Sequence, residues 1–290
     1  MKLLSFELAG LSTYGLIDED HIRVVDEAFR QQHPDLKSVL AADALAELKY
    51  ACRETLARDQ AGNIKKLPVL PNPGKIFCVG LNYKTHVAET KRPDSEYPSI
   101  FTRFADSLAA DGDVLICPAV SRRFDFEGEL AVVIGRGGRN ISQARALDHI
   151  AGYACFNDAT MRDWQRHTHQ WIPGKNFPGT GPLGPWLVTR DEVPDLDALT
   201  LTTRLNGEVM QRASLADLIY TIPVIIEYLS TFTNLSPGDV IATGTPGGVG
   251  DRREPPLYMK TGDVIEVDIT GLGTLRNTVR TETSQQLDKQ

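Results

Sequence analysis

The sequence predicts a β-rich α+β protein, and three observations predict it. Short apolar runs with strand character recur beyond residue 75, each closed by turn residues. Helical periodicity is confined to a few segments. The regular strand–helix alternation that a doubly wound parallel sheet needs is absent.

The first part of the chain reads as a small α+β unit. Leu3–Leu8 and Leu16–Val25 have strand character around turns at Gly10 and Gly15, and Leu36–Leu56 carries Ala and Leu at helical spacing. Lys65–Gly74 follows, with prolines at 68, 71 and 73 that forbid a helix and favour an extended linker. These features place a small N-terminal domain at 1–72, a main domain at 73–280 and a polar, frayed tail at 281–290. In the main domain, strands are expected at Ile76–Val79, Ile100–Phe104, Val114–Cys117, Glu129–Ile134, Leu201–Leu205, Val240–Thr243 and Val264–Ile269. Asn206-Gly207 is a hairpin signal, because both residues accept positive φ. Helices are expected at Ser142–His149, Ala159–His167 and Leu215–Phe232, the last broken at Pro223.

Composition excludes several classes. The 290 residues include 31 Lys+Arg and 38 Asp+Glu, a formal charge of −7, with 41% hydrophobic residues. That is globular composition, neither disordered nor collagen-like. A net negative chain without a long basic block is a poor ligand for nucleic acid or an anionic membrane. No run of 18 apolar residues is present, and Glu7 interrupts the N-terminal apolar stretch, so the expectation is a soluble, cytoplasmic protein. Cys52, Cys78, Cys117 and Cys155 form no C-x-x-C pair and read as buried small hydrophobes rather than zinc ligands or disulfides.

Four segments carry chemistry. In Phe126–Ile134, a strand would put Glu127 and Glu129 on one face, about 7 Å apart along it. The apolar run Leu130–Ile134 argues that this strand is buried, and acids at the mouth of a buried strand call for a cation. Asp158 ends the apolar run Ile150–Phe156 and reads either as a helix N-cap or as a third acid of the cluster. Three carboxylates without Cys or His partners suit Mg²⁺, Mn²⁺ or Ca²⁺ better than zinc. His86 and Glu89 lie three apart after Gly80, so on a helix they form either a base dyad for water or an exposed polar pair. Arg162–Phe177 is dense in donors, and Arg162 and Lys175 would suit an anionic substrate; His167 and His169 lack a further zinc ligand. Thr243–Gly250 holds four glycines and the hydroxyl of Thr245, a loop whose backbone can approach a ligand. It is neither a P-loop nor a dinucleotide fingerprint.

Taken together, these segments resemble the fumarylacetoacetate hydrolase family. The matching stretches are Phe77–Glu89, Phe126–Gly135, Ala151–Asp163, Gly174–Phe177, Pro182–Val188, Leu205–Gln211, Leu235–Gly250 and Gly262–Ile269. The resemblance implies a mixed β-roll, a homodimer, and Mg²⁺ or Mn²⁺ on Glu127, Glu129 and Asp158, with Ca²⁺ as a substitute. It implies a His86–Glu89 dyad, a substrate-facing Lys175, and substrate contacts from Arg162, Gln165, Thr245 and Tyr83. The implied reaction is metal-dependent C–C hydrolysis of a 1,3-dicarbonyl 2-oxo acid. Oxaloacetate decarboxylation and isomerisation or hydration of unsaturated 2-oxo acids are the alternatives.

Overall fold

A computed structural model describes residues 1–18, 21–56, 64–90 and 95–282. The fold is sheet-rich α+β. Its largest sheet has, along its main path, the order Cys52–Leu56, His21–Val25, Leu11–Asp18, Lys2–Leu8, Gly181–Thr189, Ile150–Asn157, Gly128–Ile134, Val240–Ala242, Ile76–Gly80, Ser99–Arg103. A second sheet of five strands runs Glu208–Ser214, Thr200–Leu205, Val264–Ile269, Gly273–Thr281, Val114–Cys117. Among the described residues no helix is long and apolar enough to cross a membrane.

The N-terminal elements differ from expectation in detail. Leu11–Asp18 and His21–Val25 are two strands, paired antiparallel, where one had been expected. The expected helix at Leu36–Leu56 is two short helices, Leu36–Ala41 and Leu45–Ala51, followed by strand Cys52–Leu56. Asp43, at φ 55°, breaks the helix, a conformation Asp tolerates better than most residues. The Pro-rich stretch is extended but packed: Lys65–Lys66 pairs with Phe6 and Glu7, and Val69 and Leu70 are fully buried. The sheet continues past residue 72, since Lys2 and Leu3 pair with Val188 and Leu187. The last part of the polar tail, 283–290, lies outside the described residues.

The two central strands of the large sheet, Gly128–Ile134 and Ile150–Asn157, are buried at every residue. Their side chains alternate between two cores, as strand geometry dictates. Ala131, Val133, Ala154 and Phe156 enter one core with Cys78 and Phe101; Leu130, Val132, Tyr153 and Cys155 enter the other with Phe77 and Val79. Each fully buried aliphatic side chain contributes about 1.5–3 kcal/mol. Parity then fixes the site: Glu129, Asp158, Gly80 and Arg103 continue the first face beyond its apolar part. The Asn206-Gly207 turn joins its two strands with φ 54° and 83°, the doubly positive geometry that pair accommodates. The helix expected at Leu215–Phe232 begins only at Ile222, with Pro223 in its first turn, where a missing N–H costs nothing.

Candidate active site

Glu127, Glu129 and Asp158 converge. One carboxylate oxygen from each lies within 4.8 Å of the others, and Glu127 sits one residue before the strand Gly128–Ile134. Its amide donates to Asn157 Oδ1 at 2.9 Å, and its carbonyl accepts from the Asp158 amide at 2.8 Å. Asp158 caps no helix. The expected helix over Ala159–His167 is only Arg162–Gln165, with Met161 at its N-cap, and Asp158 is completely buried in the cluster.

Cations crowd two of the three acids. Lys175 Nζ lies 2.5 Å from both Glu127 Oε2 and Asp158 Oδ2. Arg162 sits 2.6 Å from Glu127 Oε1, and Arg103 Nη1 donates to Asp158 Oδ1 at 2.6 Å. Burial would raise the Glu127 pKa, but Arg162 and Lys175 outweigh it and hold the group well below the carboxylate range. Burial would likewise lower Lys175, and the charges of Asp158 and Glu127 raise it instead. Glu129 is different. It accepts the Gly244 amide at 2.8 Å and forms no ion pair among the described residues. Burial, Asp158 and Glu127 push its pKa well above the usual range. A buried carboxylate short of positive charge, in an all-oxygen trio, fits a hard divalent cation. Among the described residues this is the one such cluster, and His167 and His169 are not part of it.

His86 and Glu89 lie on the helix Lys84–Thr90, with His86 Nδ1 2.6 Å from Glu89 Oε1. A carboxylate on Nδ1–H leaves Nε2 as the basic atom. His86 lines the same cavity of about 300 Å³ as the three acids, Lys175, Gln165 and Thr245. A larger cleft of about 1610 Å³ contains none of these carboxylates and offers no comparable chemistry.

The glycine loop serves the acids directly. Gly244 and Gly248, at φ 106° and 104°, donate their amides to Glu129 and Glu89. Thr245 donates its hydroxyl to the Gly128 carbonyl and accepts from Gln211, so it pins the strand carrying the acids. Arg162, expected on substrate, lines the cavity and is held there by Asp125 Oδ2 at 2.8 Å and by Glu127. Gln165 accepts from Arg162 at 3.1 Å and lines the cavity. Tyr83, expected on substrate, is fully buried and is not among the residues that line the cavity; its backbone bridges to Leu218. All four cysteines are free and buried, as expected.

Several residues escaped the sequence reading. Asp125 is fully buried and binds Arg162 together with the amides of Phe126, Gly250 and Asp251. Arg166 and Arg252 stand at the cavity mouth, both close to Asp251. The adjacency of Asp125 to the Glu-x-Glu pair was the one available signal.

Residues 75–280 match the family model for the C-terminal domain of fumarylacetoacetate hydrolase. Over 219 residues the chain is 41% identical to oxaloacetate tautomerase fahd2, mitochondrial, of Xenopus laevis, covering 75% of this chain and 69% of that protein. The fumarylacetoacetate hydrolase of psychrophilic Exiguobacterium antarcticum superposes with a TM-score of 0.86 at 33% identity, covering 97% of this chain and all (100%) of that one. Maleylpyruvate hydrolase from Sphingobium sp. SYK-6, in complex with manganese(II) and pyruvate, superposes with a TM-score of 0.80 at 25% identity, covering 98% and 100%. A match over most of the chain, agreeing with a buried acidic trio on a sheet-rich fold, leads to one conclusion: the chain belongs to the fumarylacetoacetate hydrolase family.

Proposed function

We propose that the protein is a metal-dependent hydrolase that cleaves a C–C bond of a 1,3-dicarbonyl 2-oxo acid, yielding pyruvate or a related 2-oxo acid and a second acid. One observation carries this reading: His86, hydrogen-bonded to Glu89, and the three carboxylates line one cavity. Glu127, Glu129 and Asp158 would hold Mg²⁺ or Mn²⁺, with Ca²⁺ as a substitute. A bound divalent ion supplies Lewis-acid polarisation of the 2-oxo group.

The chain's own groups do the rest. His86 Nε2 takes a proton from water, and Glu89 supports the imidazolium. The hydroxide adds to the distal carbonyl, the C–C bond breaks, and the electron pair passes to the departing enolate, which is then protonated. Lys175 adds positive charge beside the developing oxyanion. Gln165 donates to the bound acid, while Arg166 and Arg252 meet its distal end. The manganese- and pyruvate-bound relative supports a 2-oxo acid ligand.

The tautomerase relative favours a second reading, in which the same dyad moves a proton at C3 of oxaloacetate. Acylpyruvates and oxaloacetate assayed with Mg²⁺ separate the two. Hydrolysis that falls by about 10²–10⁴ in His86→Ala supports the first. Fast tautomer exchange of oxaloacetate without acylpyruvate cleavage gives the second. We further propose a homodimer, to be checked by light scattering.

A further inference from the structure

We propose that Arg103 is a positioning residue of the acidic centre, whose guanidinium fixes Asp158 with Oδ2 turned toward Glu127 and Glu129. The inference rests on the metal reading above and extends it to a residue that touches neither substrate nor metal.

Arg103 ends strand Ser99–Arg103 and is 2% exposed. Its donors are committed in a fixed fork. Nη1 donates to Asp158 Oδ1 at 2.6 Å and to the Ala159 carbonyl at 3.2 Å. Nε donates to Ser107 Oγ at 3.1 Å, and Nη2 to Thr180 Oγ1 at 2.9 Å. Its guanidinium carbon lies 5.8 Å from the centroid of the Phe156 ring. Gly181 leaves it room: a Cβ there would stand 2.8 Å from that carbon. Ser107, Asp158, Ala159 and Thr180 thus hold the guanidinium on three of its nitrogens. Holding Oδ1 leaves Asp158 one orientation, with Oδ2 toward the centre, where it now meets Lys175. A carboxylate ligand oriented by an outer partner is a recurring requirement of metal sites. Lysine would keep the charge at 103 but not the planar fork.

A purely structural ion pair would lower stability when broken and leave the metal affinity of the folded protein alone. The test is Mn²⁺ binding to the metal-free full chain, read from the electron paramagnetic resonance of free Mn²⁺, with folding checked by circular dichroism. Arg103→Met is expected to bind Mn²⁺ about 10- to 100-fold more weakly. Arg103→Lys should recover part of that loss, and Ser107→Ala, which loosens one arm of the fork, should weaken binding less. Wild-type affinity in folded Arg103→Met overturns the proposal. If Arg103→Met does not fold, unchanged affinity in both Arg103→Lys and Ser107→Ala overturns it. A wild-type chain that binds no Mn²⁺ overturns the metal reading first, and the proposal with it.

Discussion

Gly248 donates its amide to Glu89 Oε2 at 2.8 Å, while the other oxygen of Glu89 holds His86 at 2.6 Å. The glycine loop thus sets the orientation of the dyad. Gly248 has φ 104°, and a Cβ there would lie 2.3 Å from the Met210 carbonyl. Gly248→Ala is therefore expected to cost about 1–3 kcal/mol in thermal or denaturant unfolding. Turnover should fall roughly tenfold or more, as befits a misaligned general base. Mn²⁺ affinity should hold, because Glu129 is served by Gly244 instead. Unchanged kcat would remove the loop from the chemistry.

Glu129→Gln should move stability and metal affinity in opposite directions. The wild-type carboxylate is buried with one amide donor and no ion pair among the described residues. Glutamine keeps an acceptor for Gly244 and removes a charge that burial disfavours. The metal-free variant should melt at or above the wild-type temperature. Its Mn²⁺ affinity should fall by more than about 100-fold, beyond the loss typical of an outer partner. A metal-free variant that melts well below wild type would mean that Glu129 is already satisfied within the protein.

Acid sensitivity should trace partly to Asp251. Burial alone would raise its pKa, but hydrogen bonds from Arg166 and Tyr258 and the charge of Arg162 hold it below the usual carboxylate value. A depressed folded pKa contributes stability above the unfolded pKa and loses it as pH falls through the folded one. Melting temperature measured from pH 6 down to pH 3 should therefore drop less steeply in Asp251→Asn than in wild type. Parallel curves would contradict the assignment.

Glu127 and Glu129 were legible because strand parity and burial act locally: Leu130–Ile134 announced a buried strand, and the two acids had to share its face, whereas Asp158 stayed open between an N-cap and a third acid until the family resemblance placed it. His86–Glu89 was legible for the same reason, one helical turn. Arg103 was not, since it reaches Asp158 across 55 residues of chain. Arg162 lines the cavity, as a cation expected near the substrate would, but its ion pairs were not legible. Only the fold reveals that Asp125 and Glu127 have already claimed it. The helix expected across Leu36–Leu56 failed because Ala and Leu spacing carries no mark of a break at Asp43, nor of the strand Cys52–Leu56, whose partner Ile22–Val25 lies far back in the chain.

The mouth of the cavity makes a prediction about substrate choice. Arg166 and Arg252 share one carboxylate, Asp251, and Arg252 stands 3.8 Å from it, too far for a hydrogen bond. Two guanidiniums against one acid leave positive charge facing the cavity. A substrate with a second, distal carboxylate should use it, and a neutral acyl end should not. Hydrogen bonds to charged groups contribute about 1.5–3 kcal/mol, and partial exposure of Arg252 favours the lower end. Arg252→Met should therefore raise KM about tenfold for a dicarboxylic acylpyruvate. KM for acetylpyruvate should barely change. Equal increases for both substrates would show that Arg252 shapes the mouth without reading charge.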